Sequence, residues 1–311
     1  MELSQFHWLT LPLQIQSLGL SIPILLWAWV VGAVVGSFMN VVIHRMPIPE
    51  LSVVRPRSRC PKCETEIAWY DNIPVLSYMR LKGACRVCGT PISWRYPLIE
   101  TLVGGMFSYL VWCFGFSVQT IELFWFFCVL FCVAMIDFDT WLIPNILSLG
   151  LVPVGIGFAF FQPDIGVSIL PLALPAPVMN RVVGALVGLF LLGALLVVST
   201  YVLRKLGRLG ENDFAMGWGD PFLLCGIGAF VGWQSIPLVL FLASVQGSLI
   251  GYFLMKSQSL NHEPSEYDDW VPPENGVPFG PFLALAALEA ALFFDGGGLS
   301  LFQDLLNGLY S

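Results

Sequence analysis

The sequence predicts an all-α polytopic membrane protein of about eight transmembrane helices with a small cytoplasmic insertion after the first of them. Three observations carry that prediction. Of 311 residues, 57% are hydrophobic and 11% charged, where a soluble domain is roughly 25% charged. The apolar residues gather into stretches close to the ~20 residues that an upright helix needs to cross a bilayer. Nine of the fourteen Lys and Arg residues lie from Arg45 to Arg95, just after the first stretch, as expected of a cytoplasmic loop.

The first apolar stretch, 22–43, has no Lys or Arg before Arg45. It lacks the basic leader of a cleaved signal peptide and is expected to stay as a span. Further stretches follow at 97–117, 119–136, 143–161, 179–203, 217–231, 235–255 and 277–294. The sixth is short and is parted from the seventh only by Gly232-Trp-Gln-Ser235, so it is expected to be tilted or re-entrant. If the basic loop is cytoplasmic and the spans alternate, Arg204, Lys205, Arg208 and Lys256 fall on the same side, and only Arg181 lies outside. Three segments result: a first span over 1–43, a cytoplasmic loop over 44–96 and a membrane domain over 97–311. A second cytoplasmic loop, 256–276, is acidic and proline-bearing, and is expected to be extended with no chemistry of its own. No internal repeat is evident. The formal net charge of -7 does not define a partner, because the two signs occupy different parts of the chain. Nucleic acid is not an expected one.

A loop of this size holds too little core to fold unaided. Cys60-Pro-Lys-Cys63 and Cys85-Arg-Val-Cys88, separated by 21 residues, supply a staple at a spacing close to that of four-cysteine zinc sites. Each pair can turn two sulfurs toward one tetrahedral ion, and Arg59, Lys62 and Arg86 favour the thiolate. A structural Zn2+ is therefore expected at Cys60, Cys63, Cys85 and Cys88, and the insertion is a zinc knuckle. Two disulfides or a redox dithiol are the competing readings, the first disfavoured in a reducing cytoplasm. Cys113, Cys128, Cys132 and Cys225 lie in apolar spans and read as small buried hydrophobes.

Asp137, in Met135-Ile-Asp-Phe-Asp-Thr-Trp-Leu-Ile-Pro144, and Asp220, in Met216-Gly-Trp-Gly-Asp, stand at the ends of apolar spans. A carboxylate at membrane depth costs several kcal/mol unless it is paired, neutralised or used. Alternation of the spans brings both to the cytoplasmic face. Two carboxylates sharing one proton across a water can hydrolyse a peptide bond without a metal or covalent nucleophile, and such a pair titrates as a unit. Gly217 and Gly219 would let a substrate backbone approach. Pro144 would start the next helix, leaving an interfacial turn after Asp137. Asp139 and Asp213 are nearby rivals, and Glu100 and Glu289 could be packed, hydrogen-bonded structural acids.

These residues resemble the type IV prepilin peptidases, bifunctional leader peptidases and N-methyltransferases of pilus and type II secretion systems. The resemblance runs through Gly36-Ser-Phe-Met-Asn-Val-Val-Ile-His-Arg-Met-Pro47, Trp69-Tyr-Asp-Asn-Ile-Pro74, Ile92-Ser-Trp-Arg-Tyr-Pro-Leu-Ile-Glu100, the two aspartate blocks and Val277-Pro-Phe-Gly-Pro-Phe282. It implies an intramembrane aspartic endopeptidase that cleaves the leader of prepilins or pseudopilins at the cytoplasmic face of the inner membrane. The new N-terminal amine would then be methylated from S-adenosylmethionine. It assigns catalysis to Asp137 and Asp220 and metal binding to the four loop cysteines; methyl transfer rests on the resemblance alone, and the 44–96 loop is the only sizeable non-membrane candidate for it. Where the family commonly has a lysine two residues after Gly-Asp, Pro221-Phe222 stand here, so a cation beside the carboxylate is missing. Two other classes stay open at this point: a proton- or ion-coupled transporter, since membrane acids often mark ion paths, and a membrane thiol oxidoreductase using the C-x-x-C pairs.

Overall fold

A computed structural model describes residues 21–48, 51–55, 57–162, 175–210, 214–257 and 277–293. Nine α-helices run through them: α1 Ser21–Arg45, α2 Leu76–Arg80, α3 Arg95–Phe114, α4 Val118–Thr140, α5 Asn145–Ala159, α6 Ala176–Lys205, α7 Gly219–Val231, α8 Ile236–Ser257 and α9 Gly280–Phe293. Extended pairing among these residues is limited to two isolated bridges, Arg59 with Glu66 and Ala84 with Pro91. All eight apolar stretches are helices, as predicted, and α2 lies in the loop. Five helices are long and apolar enough to cross a membrane, whereas α5, α7 and α9 are shorter. The protein is a multi-pass helical membrane protein. The acidic 258–276 segment and Asp213 lie outside the described residues.

Two helix ends differ from expectation. Helix α4 continues through Asp137 to Thr140, so the turn is confined to 141–144. It stops because Trp141 adopts φ 58 while its N–H still donates to the Asp137 carbonyl at 2.9 Å. Pro144 then caps α5, where a missing N–H costs nothing. The sixth stretch is the 13-residue helix α7, ended by Gly232 at φ 76, after which a single 3-10 turn over Trp233–Ser235 leads into α8.

The chain divides into two compact units, Met1–Cys128 and Val129–Ser311. In the first, α1 packs antiparallel on α3. Asn40 Nδ2 donates to the Tyr96 carbonyl at 3.2 Å near one end of the contact, and Ser108 Oγ to the Leu25 carbonyl at 2.7 Å near the other. Between them, a methyl group on Gly32 would lie 2.9 Å from Gly104 Cα, and one on Gly36 2.9 Å from Glu100 Cα. Lipid offers no hydrophobic drive for helices to associate, so small residues that let backbones touch supply the attraction through close packing. Along the other side of α1, Ile22, Leu26, Val30, Val34 and Phe38 are exposed at four-residue intervals. These residues form a continuous apolar stripe turned away from α3.

In the second unit the same device surrounds α7, which lies between α5 and α6. A side chain on Gly228 would overlap the Gly184 backbone, one on Gly188 the Leu224 carbonyl, and one on Gly226 the Ser148 carbonyl. Every α7 residue from Asp220 to Phe230 is buried except the half-buried Phe222. At the far ends of these helices the buried Arg181 donates from Nη1 to the Gly155 carbonyl at 2.5 Å, with its guanidinium 6.0 Å from the Phe230 ring centroid. A cation there meets the negative, carbonyl end of α5. Gln246 Nε2 donates to Glu289 Oε2 at 2.6 Å between α8 and α9, so Glu289 is a packed, hydrogen-bonded acid.

If close glycine contact holds α7, Gly228→Ala is expected to destabilise the protein by about 1–3 kcal/mol through overpacking. Gly193→Ala, on α6 with open space at its Cβ position, should be neutral. Thermal unfolding of the two variants in detergent checks this, and equal melting temperatures would count against the packing argument.

Candidate active site and metal centre

The loop cysteines converge. All four Sγ atoms lie within 4.8 Å of one another, with Cys60 to Cys88 at 3.7 Å and Cys63 to Cys85 at 4.0 Å. Four thiolates placed tetrahedrally about 2.3 Å from an ion would be about 3.8 Å apart, close to the two shorter separations, so the cluster could hold a metal ion. All eight cysteines of the chain are free.

The two halves of this cluster are built alike. The Glu64 N–H donates to the Cys60 carbonyl and the Gly89 N–H to the Cys85 carbonyl, both at 2.9 Å. Each knuckle therefore closes on a residue with positive φ, 55 at Glu64 and 67 at Gly89. The N–H groups of Cys60 and Cys85 donate to the carbonyls of Thr65 and Thr90 at 3.0 and 2.8 Å. The pattern C-x-x-C-x-T-x-I thus occurs twice, over 60–67 and 85–92, a short local repeat that corrects the expectation of none. Its threonines touch the ligands: the Thr90 hydroxyl is 3.1 Å from Cys88 Sγ and Thr65 Oγ1 is 3.4 Å from Cys63 Sγ. The Thr90 hydroxyl, followed by its backbone, pulls the Cys88 thiol down to about 6, and the Thr65 hydroxyl lowers Cys63. Thiolates are the ligand form.

Asp71 ties the second knuckle to the rest of the loop. Its Oδ1 accepts from Arg80 at 2.7 Å, and its two oxygens take a bidentate pair from Arg86, the residue after Cys85, at 2.5 and 2.6 Å. Arg86 first, and Arg80 with it, holds the Asp71 carboxyl below its usual range. Glu100 is the other anchor. Its Oε2 accepts from the Val75 N–H at 2.7 Å and the side chain also bonds Ser37, so Glu100 is a packed, hydrogen-bonded acid. Val75 sits at φ 59, an unusual conformation for a β-branched residue.

In the second unit, Asp137 lies in the last turn of α4 and Asp220 in the first turn of α7, both buried. The carboxylates are near enough for the charge on Asp137 to act on Asp220. Asp137 Oδ2 accepts the Gly280 N–H at 3.0 Å, a donor at the start of α9 where helix N–H groups lack partners within the helix. A methyl group on Gly280 would lie 2.5 Å from that oxygen. Asp220 Oδ1 is buried and has no hydrogen-bond partner among the described residues. Such an orphan is rare in folded proteins and calls for a water or a reactive role. The arrangement presents one carboxylate held by a backbone donor, one with an open oxygen, and no cation beside them among the described partners.

Gly219 differs from its predicted role. A side chain there would strike Ile143 Cβ at 2.6 Å, so this glycine seats the Ile143 side chain, while Gly217 is exposed and open. Ile143 Cδ1 also lies 3.1 Å from the Cβ position of Gly280, making Ile143 a wedge between the two glycines that flank the acids. Asp139 is half-buried and engaged in its own interaction. Phe222, where a lysine is common in the resembled family, has its ring 6.3 Å from that of Trp218. The sequence reading missed Gly280, Ile143, Asp71 and the two threonines as site residues. Only the threonines left a readable signal, their equal spacing from each C-x-x-C pair.

Metal analysis of purified protein is expected to find bound metal, absent in Cys88→Ser and bound about 10-fold more weakly in Thr90→Val, as for other groups that orient metal ligands. Undiminished affinity in Thr90→Val would remove the threonine from the account.

Comparison with known proteins gives matches to two family models, the bacterial peptidase A24 N-terminal domain over residues 30–114 and the type IV leader peptidase family over residues 124–252. A Myxococcus xanthus protein named prepilin leader peptidase/N-methyltransferase is 32% identical, over 85% of this chain and 88% of the relative. Proteins of the same name from Stutzerimonas stutzeri, 33% identical over 87% of this chain and 91% of the relative, and Pseudomonas aeruginosa, 31% identical over 85% and 88%, are similar. No solved structure matches the chain.

Proposed function

Because the chain belongs to the type IV leader peptidase family, we propose that it is an intramembrane aspartic endopeptidase and amine methyltransferase. It removes the leader of prepilins or pseudopilins at the cytoplasmic face of the inner membrane and then methylates the new N-terminus. The observation that carries the proteolytic reading is the juxtaposition of Asp137 and Asp220, with Gly280 N–H on one and an open oxygen on the other. Neither alternative class, transporter or thiol oxidoreductase, finds support among the relatives.

The chemistry follows from two close carboxylates. Repulsion between like charges keeps one of them protonated. The ionised member takes a proton from a water whose oxygen bonds to the scissile carbonyl carbon, and the neutral member gives its proton to the carbonyl oxygen. Collapse of the tetrahedral intermediate breaks the C–N bond: the carboxyl that took the water's proton gives it to the leaving nitrogen, and the now ionised partner takes a hydroxyl proton of the intermediate, which restores the dyad. The Gly280 N–H fixes Asp137 for this exchange, and burial within the apolar helices limits the site to the water it uses. The dyad acts as one titrating unit.

The cysteine cluster is read as a structural zinc site, filled by four protein ligands with no open position for a reactant. Methyl transfer is assigned to the 44–96 loop. S-adenosylmethionine, when bound, would supply an electrophilic methyl group for the new N-terminal amine.

Incubation of purified protein with a prepilin, with mass spectrometry of the product, reads both activities. Asp137→Asn and Asp220→Asn should each lower cleavage by more than about 100-fold while a pre-cleaved pilin is still methylated. Normal cleavage by either variant would remove that residue from the mechanism. Gly280→Ala, whose new methyl meets Asp137, should slow cleavage and leave methylation unchanged.

A further inference from the structure

The 44–96 loop does not stand wholly clear of the membrane. Helix α3 has the 20 residues of a spanning helix, about the thickness of the hydrocarbon layer. Glu100 follows Arg95, the first residue of that helix, by a turn and a half, which places it about 8 Å inside the helix end at ~1.5 Å per residue. At that level the Glu100 side chain bonds sideways to Ser37 of α1 and accepts the Val75 N–H at 2.7 Å. Trp69, Asn72 and Pro74 share a cleft with Val34, Phe38 and Val41 of α1, so the segment leading to Val75 folds back beside the span. The chain from Trp69 to Arg80 therefore reaches the depth at which interfacial helices seat their apolar faces, about 5–10 Å into the headgroup and acyl boundary.

What this segment turns outward is apolar. Leu76 and Met79 stand three residues apart, on one side of α2, and are 63% and 68% exposed; Trp69 is 77% exposed. The buried Ser77 faces the other way, accepting the Ile73 N–H at 3.0 Å and donating to the Tyr70 carbonyl at 3.1 Å. Asp71, the one acid of the segment, is clasped by Arg80 and Arg86.

We propose that Trp69, Leu76 and Met79 insert into the cytoplasmic leaflet of the bilayer, making Trp69–Arg80 an interfacial foot that holds the loop against the membrane surface. Depth chooses lipid as the occupant, because the Val75 bond to Glu100 fixes this segment beside two spans rather than above them. Residue type agrees with it. Tryptophan favours the headgroup layer, and Lys82, exposed just beyond α2, is placed to meet lipid phosphate.

Photo-crosslinking of the full-length protein in nanodiscs of phosphatidylethanolamine and phosphatidylglycerol tests the proposal, with benzoylphenylalanine replacing Trp69, Leu76 or Met79 one at a time. Mass spectrometry after illumination should find lipid adducts in all three variants and none when the same group replaces Glu66, which forms an exposed ion pair with Arg59. Unchanged metal content shows that the loop of each variant is folded. A second measurement needs no substitution: hydroxyl-radical footprinting of the wild type in the same nanodiscs should leave Trp69 and Met79 unoxidised, although the chain itself leaves them exposed. Adducts with residues of this chain or of a second copy in place of lipid would overturn the proposal. So would lipid adducts from the Glu66 variant equal to the other three, or free oxidation of Trp69 and Met79.

Discussion

The hydrogen bond from the Gly280 N–H to Asp137 Oδ2 is the contact on which the arrangement of the second unit turns. A carboxylate buried among apolar helices is tolerated only with a partner. Here the partner is a backbone donor at the start of another helix, so satisfying the acid also brings α9 to α4. The residue that donates has to be glycine, since a methyl group would collide with the oxygen it serves. Asp220 completes the site from α7, whose depth is set by glycine contacts with α5 and α6. The charge-bearing groups thus meet because backbones, rather than long side chains, bring their helices together.

The first unit reaches order by different means. Its helix pair, α1 and α3, uses the same small-residue contact, but the loop between them has little core and is held by point attachments. The cysteine cluster joins the two knuckles, Asp71 clasps Arg80 and Arg86, and Glu100 reaches from α3 to hold the strained Val75 segment. Each attachment links residues distant in sequence. A residue in a rare backbone conformation persists where its surroundings over-determine it, and the Glu100 carboxylate supplies that constraint.

Much of this was legible in the chain because hydropathy in a membrane protein is a direct record of helices. The eight apolar stretches became eight helices, and the C-x-x-C pairs became one cluster, since a four-residue knuckle is local geometry. Helix ends were less legible. The α4 terminus depends on Trp141 adopting φ 58, which no residue preference announces, so the helix runs past Asp137 into residues expected to form the turn. Gly219 was read as an opening for substrate, yet it receives Ile143, because the need for glycine is clear from sequence while the neighbour that imposes it is not. Gly280 was part of a noted block but carried no assigned role, since a backbone N–H leaves no trace in residue type. The paired threonines stand at equal spacing from the two C-x-x-C pairs, but only the folded knuckles bring their hydroxyls to the sulfurs.

The central claim is that Asp137 and Asp220 act together on one solvent oxygen. The most direct measurement is an experimental structure of the full chain bound to a leader peptide whose scissile amide is replaced by a hydroxyl-bearing isostere. The account expects that hydroxyl to occupy the place of the water, within about 2.5–3.0 Å of an oxygen from each aspartate. A bound isostere whose hydroxyl contacts neither carboxylate, or only one with the other turned away, would contradict it.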